Sequence, residues 1–183
     1  MTIAVFRITK ERYRDQLFTG LGGLYAYGRW TPRGRPVVYT SQSISLAVLE
    51  YALNYKRHGW LPASVLGRAV IPDEVVGVDS ISTPALPADW RDPNPPAALR
   101  EIGHDWLRRA ETVCLKVPSA IVPDESNYLL NPRHPDFARL TIGLPEPFNF
   151  DRRLGRVRTT AQEPVRNSTM LLVTATGCSS VER

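Results

Sequence analysis

Cysteine and histidine are both scarce in this chain of 183 residues, with two Cys and three His. Cys114 lies in an apolar run and Cys178 in a Gly/Ser-rich stretch near the end, so the pair makes neither a zinc cluster nor a disulfide framework. A reducing cytoplasm is therefore the expected compartment. His58, His104 and His134 fall at a helix end, on a polar helix face and in a Pro-bounded turn, a spacing that argues for no Ser-His-Asp triad. No stretch approaches the ~18 uninterrupted apolar residues of a membrane span. Met1 is not followed by the basic and apolar segments of a secretory signal, so none is expected. The P-loop, the HExxH zinc helix, the GxSxG elbow and the CxxC pair are all missing. Gly20-Leu21-Gly22-Gly23 is glycine-rich, but it lacks the strand-to-helix context of a dinucleotide fingerprint.

What is present suits a folded protein. A hydrophobic share of 43% and a charged share of 22% are ordinary for a globular chain and exclude disorder as the main state. The length fits one domain, or one domain and a tail. The net charge of +5 is unevenly spread, because residues 1–60 carry 9 basic and 3 acidic side chains. Arginine supplies 20 of the 23 basic residues. Such an excess fits phosphate recognition, since the guanidinium fork matches two oxygens at once. It fits equally well the codon usage of a GC-rich genome. The N-terminal cluster also leaves open a nucleic-acid-binding protein or ribonuclease, although its aromatics are not interleaved as a stacking platform requires.

Local pattern predicts short strands mixed with two helices. Strands are expected at Ile3–Thr9, Pro36–Thr40, Val65–Ile71, Val75–Asp79, Val113–Val117 and Ala120–Val122. Ser41–Arg57 reads as a helix capped by Ser41 or Ser43, with Leu46, Leu49 and Leu53 at helical spacing and Gly59 as the stop. Pro96–Glu111 reads as a second helix, with Trp106 and Leu107 on its apolar side. Gly20, Gly22, Gly23 and the adjoining Gly28 make Tyr13–Tyr27 a loop, and Ser82–Pro96 is a Pro-rich connection. Glu125–Asn131 leads into the turn Asn131–Pro135. Residues 155–183 are Thr/Ser-rich, with one strand-like run at Met170–Thr176, and read as a docking arm or a sheet-edge strand. Together these give an α+β domain rather than a doubly wound one.

Polar residues set among apolar ones are the candidates for chemistry. Arg29 sits between Gly28 and Trp30, Tyr39 lies in a strand, and Glu125, Ser126 and Asn127 follow Pro123. On the first helix Glu50 shares a stripe with Ser43, Ala47, Asn54 and Arg57. A solvated stripe and a stripe that lines a cleft both fit this pattern.

The order of these segments carries more than any one of them. Gly28-Arg29-Trp30, Pro36–Ser41 and Leu46–Glu50, followed by Leu86–Trp90, Gly103–Leu107 and the stretch Val117–Pro132, resemble the RES-domain family over roughly residues 3–154. The resemblance implies a single ADP-ribosyltransferase-like domain, residues 1–154, with a mixed or antiparallel β core, flanking helices and the tail 155–183 outside it. It implies a toxin of a toxin–antitoxin pair that cleaves the nicotinamide–ribose bond of NAD⁺, by hydrolysis, phosphorolysis or transfer of ADP-ribose to a protein. The family's Arg, Glu and Ser then map onto Arg29, Glu50 and Ser126. Glu50 would stabilise positive charge at the ribose. Arg29, assisted by Arg7, would hold the pyrophosphate. Tyr39 would stack on the nicotinamide or its ribose. Ser126 and Asn127 would hydrogen-bond the ribose end. NAD⁺ is then the substrate, and no metal is required. The implied partner is an Xre-like antitoxin that blocks the active site in a hetero-oligomer, with no direct nucleic-acid or membrane binding by this chain.

Overall fold

A run of alternating apolar residues makes Ile3–Lys10 the first strand, β1. Its partner on one side is β4, Ser64–Ile71, paired antiparallel from Ile3 opposite Ile71 to Lys10 opposite Ser64. The computed structural model describes residues 2–55, 60–75, 78–154 and 156–157. The expected helix stop at Gly59, the Arg57 end of the polar stripe and the strand-like run Met170–Thr176 lie outside the described residues.

The remaining strands are β2 (Val38–Ser41), β3 (Trp60–Leu61), β5 (Val78–Ser80), β6 (Cys114–Pro118), β7 (Ser126–Leu130), β8 (Thr141–Ile142), β9 (Glu146–Phe148) and β10 (Arg156–Val157). The main sheet runs β5-β6-β7-β2-β1-β4-β8, with β9 also on β4, while β3 and β10 pair separately. Every ladder in the main sheet is antiparallel except β5 with β6. The helices are α1 (Gly22–Tyr25), α2 (Ile44–Tyr55) and α3 (Ala97–Arg109). The architecture is the expected mixed α+β domain.

Strand alternation decides which residues meet. One face of the sheet carries Val5, Val38, Val65, Ala69, Cys114, Tyr128 and Leu130, and is covered by Leu17 and Phe18 from the segment after β1 and by Leu140. Gly67 on β4 is where that cover presses closest, since a methyl there would run into Leu17. The opposite face divides in two. Leu115, Val117 and Leu129 pack under α3 with Trp30, Trp90, Leu99 and Trp106. Ile8 and Leu66 pack under α2 with Ala47 and Phe150. Each fully buried aliphatic side chain contributes roughly 1.5–3 kcal/mol, so the two half-cores hold both helices down.

The sheet is weakest between those halves. β2 matches β7 along its whole length, from Val38 opposite Leu130 to Ser41 opposite Asn127. Against β1 it is in register only at Phe6 opposite Ser41. The two strands therefore part beyond that pair, and a cleft opens between the α2 half and the α3 half.

Several local expectations shift. Ala120–Val122 is not a strand: the Ser119 hydroxyl accepts the backbone N–H groups of Ile121 and Val122 at 3.1 and 3.2 Å and turns the chain. Tyr13–Tyr27 is not structureless, because the 3-10 segment Glu11–Gln16 runs into it and it holds α1. On α2 the buried residues are Leu46 and Ala47, whereas Leu49 and Leu53 are exposed. Ser43 is the cap that forms, its hydroxyl accepting Leu46 N–H at 3.1 Å.

Candidate active site

The cleft has a volume of about 660 Å³, within the ~300–1,000 Å³ usual for a small-molecule site. Arg7 from β1, Arg29, Tyr39 and Ser41 from β2, Glu50 from α2 and Asn127 from β7 all line it. The polar stripe on α2 is thus a cleft wall, with Ala47, Glu50 and Asn54 along it.

Glu50 is the best-held group. Its Oε1 accepts the Asn127 Nδ2–H at 2.6 Å and the Ser119 hydroxyl at 3.0 Å. Asn127 is itself oriented by the Ser41 hydroxyl, which donates to Oδ1 at 2.8 Å. Ser119 is fully buried, and the two backbone N–H groups it accepts leave its proton for the carboxylate. Among the described residues Oε2 has no hydrogen-bond partner, so one carboxylate oxygen is fixed and the other is free for a ligand. Each of these bonds to a charged acceptor contributes roughly 1.5–3 kcal/mol to holding that orientation.

The turn that carries Ser119 is clasped to the start of α2. The Ser43 hydroxyl donates to Glu125 Oε2 at 3.1 Å, and Gln42 and Ser126 exchange two bonds, Gln42 N–H to Ser126 O at 3.0 Å and Ser126 N–H to Gln42 Oε1 at 2.8 Å. Helix and turn therefore move together, and Ser119 stays against Glu50.

The Ser126 side chain does not join this network, although its backbone does. It precedes Asn127 on β7, and neighbouring strand residues point to opposite faces. Asn127 and Leu129 face the cleft half of the sheet, and Tyr128 and Leu130 face the other core. Ser126 shares their side and does not line the cleft. The serine beside Glu50 is Ser119. The usable signal was period-two alternation, which forbids Ser126 and Asn127 from pointing at one carboxylate. Ser119, which fills the place, lies in the stretch Val117–Pro132 that carries the resemblance.

The two arginines differ. Arg7 Nη1 donates to the Tyr39 carbonyl at 2.7 Å, in the gap where the β1–β2 ladder has stopped. Its Nε is out of solvent with no hydrogen-bond partner, and among the described residues no carboxylate pairs with it. Burial brings its pKa down to about 10. A cation desolvated without a counter-ion is a site for an anion. Arg29 Nη1 donates to the carbonyls of Trp90 and Asp92 at 2.6 and 2.9 Å, pinning the Pro-rich segment to the cleft. Burial lowers its pKa, while Glu50, then Asp92 and Tyr39, hold it up. Its Nε and Nη2 have no partner among the described residues.

Tyr39 is less available than a stacking role supposes. Its hydroxyl accepts the Trp30 N–H at 3.3 Å and shares a bond with the Thr31 hydroxyl at 2.8 Å. Burial pushes its pKa up to about 12. A methyl on Gly28 would strike that hydroxyl, so glycine is required there. Among the described residues no three His, Cys, Asp or Glu side chains come together to hold a metal ion.

Comparison with known proteins gives this cleft a family. The RES domain matches residues 4–151. A protein named Toxin Res from Photorhabdus laumondii is 36% identical over 155 residues, covering 84% of this chain and 98% of that one. A protein named Prs ADP-ribosylating toxin from Sphingobium is 32% identical over 160 residues, covering 85% and 99%. The chain belongs to the RES-domain toxin family. Its fold is similar to that in the crystal structure of the M. tuberculosis MbcT–MbcA toxin–antitoxin complex, with a TM-score of 0.66, 16% identity and coverage of 81% of this chain and 85% of that one.

Proposed function

We propose that this toxin cleaves the nicotinamide–ribose bond of NAD⁺ in the cytoplasm and arrests growth by doing so. The observation that carries the reading is the Glu50 carboxylate, fixed by Ser119 and Asn127 in a cleft that also holds two arginines with free guanidinium nitrogens. The leaving group is a cation. When the C1′–N bond breaks, its electron pair stays on the pyridine nitrogen, which becomes neutral, so no general acid is needed. This sets the reaction apart from ordinary glycoside hydrolysis, in which two carboxylates flank the bond. What the ribose needs is a negative charge close to the carbon that becomes electron-poor, or a firm hold on a ribose hydroxyl. Glu50 supplies either through its free oxygen.

Arg7 and Arg29 take the pyrophosphate, which offers the anion that Arg7 lacks in the chain itself. Ser119, rather than Ser126, is the serine of the site, and it acts through Glu50 as a positioning residue. Tyr39 shapes the cleft wall and holds Trp30 and Thr31 in place. Water, inorganic phosphate or a protein side chain then attacks C1′, giving ADP-ribose, its 1″-phosphate or an ADP-ribosylated protein. The relative named as an ADP-ribosylating toxin supports the last acceptor for that protein. An antitoxin that covers the cleft, as an Xre-like partner in a hetero-oligomer, is the matching control.

Induction of the chain in a host cell tests the reading. Cellular NAD⁺ falls, or ADP-ribose appears on a protein, before growth stops. Growth arrest with NAD⁺ unchanged and no labelled protein contradicts it.

A further inference from the structure

A dinucleotide brings a second heterocycle into the cleft, and the rings that line it are not equally able to receive one. Trp30 is buried, and the Tyr39 hydroxyl is tied to Trp30 and Thr31. Tyr51 lies between Tyr55, at 4.7 Å between ring centroids, and Phe150, at 5.3 Å. Tyr55 lies between Tyr51 and the Lys10 ammonium, 5.0 Å from its ring. These rings already have neighbours on their faces. Tyr27 is the more open ring: it lines the cleft, is 71% exposed, and has the Arg100 guanidinium 5.8 Å from its ring centroid, which leaves the other face for a base. Arg100 also lines the cleft and pairs with no carboxylate among the described residues.

We propose that Tyr27, backed by Arg100, is the platform on which the adenine ring of NAD⁺ stacks, so that this chain reads the adenylate half of its substrate at the cleft rim. The inference rests on the NAD⁺-cleaving reading. Two residues along the chain, Arg29 takes the pyrophosphate, which orders the cleft as Glu50 at the nicotinamide ribose, Arg29 at the phosphates and Tyr27 at the adenine. An aromatic ring left open to water gains burial when a base covers it, and a guanidinium beside the ring strengthens the stack. The unpaired charge of Arg100 also favours the adenylate phosphate.

The test compares NAD⁺ with nicotinamide mononucleotide, which keeps the scissile bond and lacks the adenylate. Nicotinamide release is measured for the wild type, Tyr27→Ala and Tyr27→Phe, and ADP-ribose binding is measured by calorimetry. Tyr27→Ala is expected to raise KM for NAD⁺ and weaken ADP-ribose binding roughly tenfold, with Tyr27→Phe close to wild type and KM for the mononucleotide unshifted. Unchanged ADP-ribose affinity and NAD⁺ KM in Tyr27→Ala overturns the platform. An equal KM rise with both substrates also overturns it, because Tyr27 would then serve the nicotinamide end. A folded wild type that releases nicotinamide from neither substrate fails the parent reading instead, and that result is visible before any variant is made.

Discussion

Replacing Arg7 with methionine separates what the buried cation does for the fold from what it does for the ligand. Its pKa is lowered by burial from the ordinary arginine value to about 10, so at neutral pH the folded state carries a charge it holds less well than the unfolded chain does. At ~1.4 kcal/mol per unit, the penalty is on the order of 3 kcal/mol. Methionine removes it. Methionine also removes the bond to the Tyr39 carbonyl, 2.7 Å long, and a bond from a charged donor is worth roughly 1.5–3 kcal/mol. The two terms nearly cancel, leaving the variant as stable as the parent or more stable by about 1 kcal/mol, which raises Tm by roughly 2–4 °C in a domain of this size. NAD⁺ binding moves the other way, because a charge-assisted contact to pyrophosphate is lost, and KM rises roughly 30-fold or more. The pH dependence has a matching sign. A group whose folded-state pKa is depressed binds fewer protons folded than unfolded between the two values. Arg7 therefore destabilises the fold at every pH below about 10, and the penalty is relieved only as pH rises through that value. The assay is a thermal melt with and without ADP-ribose, alongside nicotinamide release. A variant that loses several degrees of Tm and keeps its KM would show that Arg7 is a strut between splayed strands and that the anion site was misread.

The serine assignment is tested by a pair of variants: Ser119→Ala lowers kcat for nicotinamide release about 10- to 100-fold and also lowers Tm, because two buried turn N–H groups lose their acceptor, whereas Ser126→Ala leaves both near wild type. The reverse order returns the role to Ser126. Gly28→Ala drives a methyl into the Tyr39 hydroxyl and strips Trp30 and Thr31 of their partner, lowering stability by roughly 1–3 kcal/mol in chemical denaturation. A wild-type midpoint would mean that the hydroxyl is free to move. Alkali gives a separate check on Tyr39. Its folded-state pKa is raised to about 12, so the stability it contributes is complete below the ordinary tyrosine value and is lost as pH climbs toward 12. Tyr39→Phe is expected to remove that part of the alkaline loss, and an unaltered alkaline limb refutes the assignment.

Much of this arrangement was legible in the residues, and the exceptions have physical causes. Helix α2 follows from Ser43 and the spacing around Leu46, but periodicity alone did not say which side met the core. The packing of Leu46 and Ala47 onto the sheet left Leu49 and Leu53 outside and turned Glu50 into the cleft. The meeting of Arg7, Arg29, Tyr39, Glu50 and Asn127 depends on the parting of β1 and β2, a long-range register that no local pattern encodes. Ser126 lies outside the cleft because Ser126–Leu130 is a strand and not only the approach to a turn. As a strand, its alternation sets Ser126 and Asn127 on opposite faces. The strand expected at Ala120–Val122 gave way because the Ser119 hydroxyl captured its backbone N–H groups, the same event that sets Ser119 beside Glu50. Of the basic N-terminal third, Arg7 and Arg29 both line the cleft.

Incubation of the purified, antitoxin-free protein with NAD⁺ labelled in the nicotinamide ring and in the adenylate, with and without phosphate and cell lysate, tests the central claim most directly. The wild type is predicted to free labelled nicotinamide and to yield an adenylate product whose mass names the acceptor, and Glu50→Gln, equally folded, to slow that release by about 10²–10³-fold. Intact NAD⁺ under every condition, or equal release by the two proteins, contradicts the account.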